Sequence, residues 1–162
     1  MVMFILLYFL AAGAIVGLDQ LVKYWVVRQI PLNDTFPLVP GLVHLTHVRN
    51  TGAAFSMLSG QRWPLIVLTL ACAAAILAVL ARGKLPKTAN WALAMVLGGA
   101  VGNLIDRAVH GYVVDMIEVE FVRFAVFNVA DIFVVCGGIL LCLWLLLSQG
   151  KKTEGPNNAP AG

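Results

Sequence analysis

The sequence predicts an all-α integral membrane protein: a four-transmembrane-helix bundle with a small β-sheet on its outer side. Three observations carry this expectation. Of the 162 residues, 60% are hydrophobic and only 12% are charged, against roughly 25% charged in a soluble domain. The mean hydropathy of +0.90 agrees. Four stretches reach the ~20 mostly apolar residues that a spanning helix needs. Between the first two lies a long segment that alternates in polarity, as a half-buried strand does.

The first span covers residues about 2–27. It is uncharged as far as Leu18, and its pattern continues past Asp19 and Lys23. It lacks a basic leader and is too long for an ordinary signal-peptide core, so it reads as a span. Residues 28–62 follow, with Pro31, Pro37, Pro40 and Gly41 ahead of GLVHLTHVRNTGAAF. There Leu42, His44, Thr46 and Val48 alternate with Val43, Leu45, His47 and Arg49, predicting a strand that residues 30–39 pair with. The second and third spans take residues about 63–82 and 88–107. Residues 108–124 contain the alternating run YVVDMIEVEFVRF, which is too short for a domain and reads as a lid or an amphipathic interfacial stretch. The fourth span covers about 125–147, with Asp131 its only charge. The tail KKTEGPNNAPAG (151–162) has a disordered composition.

Orientation follows from basic residues. Arg82, Lys84 and Lys87 crowd the short second connection, and Lys151 and Lys152 follow the last span. They place both termini in the cytoplasm. Arg28, Arg49, Arg62, Arg107 and Arg123 fall on the opposite side, so the bias lies in density and not in number.

Several function classes are disfavoured. A net charge of +3 without a basic stripe gives no footprint for nucleic acid. Cys72, Cys136 and Cys142 sit in apolar runs and read as small hydrophobes. There is no GxSxG, and Ser56, Ser59 and Ser148 have no evident histidine partner. No HExxH occurs. His44 and His47, three apart in a strand, point to opposite faces, and His110 is isolated. Neither a metal nor a cofactor is expected.

The chemistry lies in polar groups that spanning helices should avoid. Asp19 and Lys23 stand at i and i+4, Asn103, Asp106 and Arg107 at i, i+3 and i+4, and Asn128 and Asp131 at i and i+3. Each set shares one helix face. Asp115 lies between the last two spans. By the topology above, all converge on one level near the outer surface of the bilayer. Each has a bland reading: an interfacial ion pair, a helix-end network, an N-cap, an exposed loop acid. Asp131 resists most, because a charge at membrane depth costs about 2.5–3.5 kcal/mol on insertion scales. Two carboxylates sharing one site split their titration, so that one stays protonated while the other activates water. Such a pair needs no metal, cofactor or nucleophilic side chain. The rival reading is a small ion- or proton-coupled transporter subunit. Clustering of the acids at one membrane face, with no internal repeat, argues against it.

Five motifs then carry a resemblance. DQLVK (19–23), NTGAAFS (50–56), GNLIDR (102–107), GYVVD (111–115) and FNVAD (127–131) resemble, in order, those of the bacterial lipoprotein signal peptidases (signal peptidase II). The resemblance implies an aspartic endopeptidase in the inner membrane, its sheet and site on the periplasmic side. It would remove signal peptides from prolipoproteins, cutting before a cysteine that already carries diacylglycerol. It implies membrane lipids as surroundings, no cofactor and no obligate protein partner. The implied catalytic pair is Asp115 and Asp131, with Asp106 competing for the first role or else supporting the structure through Arg107. Asn50, Gly52, Asn103, Arg107 and Asn128 match substrate-positioning and support groups, and Gly52, Ala53 and Ala54 are small enough for a peptide backbone to approach. Asp19 and Lys23 match a first-helix pair. Two positions depart from the pattern: Ile132 stands where serine is frequent, and Met116 where phenylalanine is.

Overall fold

The computed structural model describes residues 2–53 and 57–153, with side chains for 3–53 and 57–149. Ala54 and tail residues 154–162 lie outside the described residues. Four helices form the body: α1 (Val2–Gln29), α2 (Arg62–Arg82), α3 (Lys87–Val109) and α4 (Val129–Thr153). Each is long and apolar enough to cross a membrane. Tail residues 151–153 continue α4.

Helix α3 is the hub and packs against the other three. Its buried face reads Ala89, Ala92, Leu93, Leu97, Gly99, Gly102, Asn103 and Asp106, mostly small residues at helical spacing. In lipid, helices associate through close packing of such residues, because apolar tails provide no hydrophobic drive. A methyl group at Gly99 would collide with the Ala130 carbonyl oxygen of α4, and one at Gly102 would sit 2.7 Å from Asp19 Oδ2 of α1. Gly102→Ala is therefore expected to lower stability by about 1–3 kcal/mol. Thermal unfolding in detergent measures this, and an unchanged midpoint would contradict the close packing.

At one end of the bundle stands a three-stranded antiparallel sheet in the order β1 (Thr35–Val39), β2 (Val43–Asn50), β3 (Val113–Val119). The β1–β2 hairpin is the one expected from the alternation. The third strand is a correction: residues read as a lid or interfacial stretch pair with β2 instead, Val48 opposite Asp115 and Asn50 opposite Val113. The alternation in YVVDMIEV was thus a strand signal. Val114 and Met116 pack with Val26 of α1 and with Ile30 just beyond it, while Val113 and Asp115 point the other way, into a cavity. The period-2 pleat thereby places an apolar face on the bundle and a carboxylate at the cavity wall.

Candidate active site

The cavity has a volume of ≈ 440 Å³, and both Asp115 and Asp131 line it. Around them are Asn50, Asn103, Arg107 and Asn128, and apolar groups that include Phe124, Val126 and Ile132. Three asparagines hold the two acids. On β2, Asn50 lies diagonal to Asp115 on one sheet face, within reach of a cross-strand contact. Its Nδ2 donates to Asp115 Oδ2 at 2.9 Å, and its Oδ1 accepts from the Gly52 N–H at 2.8 Å.

Asn128 is the N-cap of α4. Its Oδ1 accepts the Asp131 N–H at 2.9 Å, and Asp131 Oδ2 accepts the Asn128 N–H at 3.2 Å. This reciprocal pair is a capping box, satisfying two donors that a helix start leaves orphaned. The Asn128 Nδ2 then donates to Asp115 Oδ1 at 2.7 Å and to Asn103 Oδ1 at 3.0 Å. One buried asparagine thus touches both acids. Asn103 completes the set, its Nδ2 donating to Asp131 Oδ1 at 2.7 Å.

Behind this layer lies a buried charge cluster. Lys23 Nζ meets Asp19 Oδ2 at 2.8 Å, Asp106 Oδ2 at 3.0 Å and Asn103 Oδ1 at 2.9 Å, which uses all three of its donors. Asp19 Oδ1 accepts the Ala130 N–H at 2.9 Å, fixing the start of α4 to α1. Asp106 also accepts from Gln20 Nε2 at 2.9 Å and from the Val114 N–H at 3.1 Å, which joins α3 to β3. Asp106 belongs to this cluster and not to the cavity lining.

Burial pushes the Asp115 carboxyl up to about 6; the Asp131 charge adds to this, while hydrogen bonds from Asn50 and Asn128 oppose it. Among the described residues, no three histidine, cysteine or acidic side chains are grouped so as to hold a metal ion.

The family model described as "Signal peptidase (SPase) II" matches residues 11–147, most of the chain. The chain belongs to the signal peptidase II family. It is 42% identical to a lipoprotein signal peptidase of Enterococcus faecalis over 156 residues, covering 94% of this chain and 96% of the relative. A lipoprotein signal peptidase of Brevibacillus brevis is 44% identical over 148 residues, covering 91% and 99%. A solved bacterial membrane enzyme superposes with a TM-score of 0.82 at 29% identity, over 96% of this chain and 94% of that one. A second gives 0.78 at 31%, over 86% and 92%. Nothing in these likenesses supports the transporter reading.

Within this signal peptidase II chain, nine of the ten residues singled out from the sequence fall into two connected groups. Asn50, Asn103, Arg107, Asp115, Asn128 and Asp131 line the cavity; Asp19, Lys23 and Asp106 stand behind it. Gly52 contributes its backbone: its carbonyl oxygen accepts from Arg107 Nη2 at 2.7 Å, holding the 50–53 loop. One expectation changes. Asp106 bonds to Lys23, Gln20 and Val114, and Arg107 turns instead to Gly52. Gln20 was missed. It stood beside Asp19 in DQLVK, but only the α1–α3 crossing reveals what it reaches. Ile132 lines the cavity, and Met116 is fully buried against α1.

Proposed function

We propose that the protein is an aspartic endopeptidase that removes signal peptides from diacylglyceryl-modified prolipoproteins, with Asp115 and Asp131 as its catalytic pair. The observation that carries this is the shared cavity: two carboxylates delivered by a strand and a helix, bridged by Asn128, in mostly apolar surroundings. The names of its relatives, lipoprotein signal peptidases, support a lipoprotein precursor as the substrate.

In this reading the scissile bond lies between the acids. Asp131 takes a proton from water as the oxygen attacks the carbonyl carbon, and protonated Asp115 donates to the carbonyl oxygen. Collapse of the tetrahedral adduct breaks the C–N bond, with the proton passing to the leaving nitrogen. The products are a signal-peptide carboxylate and a free amine on the lipidated cysteine. General acid–base steps of this kind contribute typically 10²–10⁴-fold. The termini are cytoplasmic and the site is at the outer leaflet of the inner membrane, where a lipid-anchored substrate arrives by lateral diffusion. The apolar walls beside Ile132 and Val135 suit acyl chains.

Purified protein in detergent, given a diacylglyceryl-modified precursor peptide, should cut immediately before the cysteine. Cleavage elsewhere, or equal cleavage of the unlipidated peptide, would overturn the substrate assignment. The pH dependence has a definite sign. A carboxyl raised to about 6 is protonated below that pH and loses its proton above it. Because Asp115 acts as the acid, kcat/KM should decline as pH rises through about 6, reporting the free enzyme. A profile flat between pH 5 and 8 would remove Asp115 from the donor role.

A further inference from the structure

The sequence of bonds behind the acids assigns a role to a residue that never reaches the cavity. Asn103 Oδ1 accepts from both Lys23 Nζ at 2.9 Å and Asn128 Nδ2 at 3.0 Å. With two donors on its oxygen, the amide has one orientation, and its NH₂ must face Asp131 Oδ1, 2.7 Å away. Were the amide to flip, its NH₂ would confront the Lys23 ammonium and its oxygen would confront the Asp131 carboxylate. Both contacts would be repulsive. Lys23 itself is immobile, buried with all three donors engaged. The charge of the α1 lysine is thus converted into a fixed N–H donor at the cavity wall.

We propose that Lys23 is a positioning residue for catalysis: by fixing the Asn103 amide, it keeps a donor aimed at Asp131 Oδ1 and so holds that carboxylate in one rotamer, facing Asp115. A second asparagine donor, from Asn128, bonds Asp115 across the cavity. The two acids are therefore oriented from opposite ends of one amide-to-amide contact. Asp19 and Asp106 are the counter-charges that make a lysine tolerable at this depth. The inference rests on the aspartic reading of the site.

The test separates a donor role from a charge role. In an Asp19→Asn background, which keeps the cluster's net charge when Lys23 is neutralised, Lys23→Gln and Lys23→Met are compared. Both side chains are neutral and of similar length, but only glutamine can donate to Asn103. The Gln variant should retain kcat within about threefold of the background. The Met variant should lose roughly 10–100-fold in kcat, with KM little changed, as expected for loss of one hydrogen bond that orients a charged group. Rates are taken per folded molecule, from unfolding curves in detergent. Equal kcat for the two variants overturns the proposal. If neither variant folds, Asn103→Asp in the native background reads the same link. It keeps an acceptor for Lys23 but has no donor for Asp131, and full activity there also overturns the proposal. Asp131→Asn is the control for the underlying reading. If it stays active, the aspartic mechanism fails; if it is inactive while Gln and Met are equal, only the role of Lys23 fails.

Discussion

Asp131→Asn abolishes cleavage while leaving the bundle folded. The expected loss in kcat is about 10²–10⁴-fold, that of removing a general base. Stability should fall by about 1–3 kcal/mol, because the asparagine oxygen can still accept the Asn128 N–H but its NH₂ then meets the Asn103 Nδ2 donor, which loses its acceptor. Asp115→Asn should behave alike, as the same cavity holds it. Asp106→Asn should show the reverse pattern. It weakens the contacts to Lys23, Gln20 and Val114 and lowers the melting temperature, while molecules that fold keep most of their activity. Three purified variants, each assayed for cleavage and for unfolding in detergent, decide the assignment. An active Asp115→Asn beside an inactive, well-folded Asp106→Asn would transfer the first catalytic role to Asp106.

The second large effect concerns stability. Lys23→Met in the native background should cost about 3–5 kcal/mol, the range for breaking a buried pair by removing one partner. Two buried carboxylates, Asp19 and Asp106, would lose the ammonium that now lies 2.8 and 3.0 Å from them. A marginal membrane protein then yields little folded material. Adding Asp19→Asn should restore part of the loss, since one of the uncompensated charges goes with it. A melting temperature for Lys23→Met within a degree or two of the native value would show that the cluster is wetter than its burial implies.

These expectations depend on features of very different visibility in the sequence. The helices were plain from apolar length alone. Shared faces followed from spacing: Asp19 with Lys23, Asn103 with Arg107, Asn128 with Asp131. What spacing could not show was direction across helices. Asp106 was expected beside Arg107, one residue on, yet its carboxylate crosses to Lys23 of α1. Local periodicity identifies a face and is silent on which partner that face meets. Gln20 was invisible for the same reason, since its partners Gly102 and Asp106 are 82 and 86 residues away. The third strand is a different lesson. Its alternation was legible, but a strand needs a neighbour, and β2 lies more than sixty residues earlier. The reason for Asp131 was half legible. An N-cap at Asn128 is readable from the sequence, but a lone cap does not call for Asp131, and the reciprocal bond from Asp131 back to the cap appears only in three dimensions.

The two acids are joined by a short piece of chain that starts on β3 and ends at α4, and Phe127 closes it. Its N–H and C=O make rungs with Ile117, 3.1 and 2.7 Å long, and Met116 adds another to the same carbonyl at 3.0 Å. These rungs act as a clasp beside residues 121–126, which carry Phe124 and Val126 of the cavity wall. The clasp ties the strand of Asp115 to the start of the helix of Asp131 without using the side chains of that wall. On the proposed reading, a bulky, greasy substrate pressing on that wall would leave the spacing of the two acids unchanged.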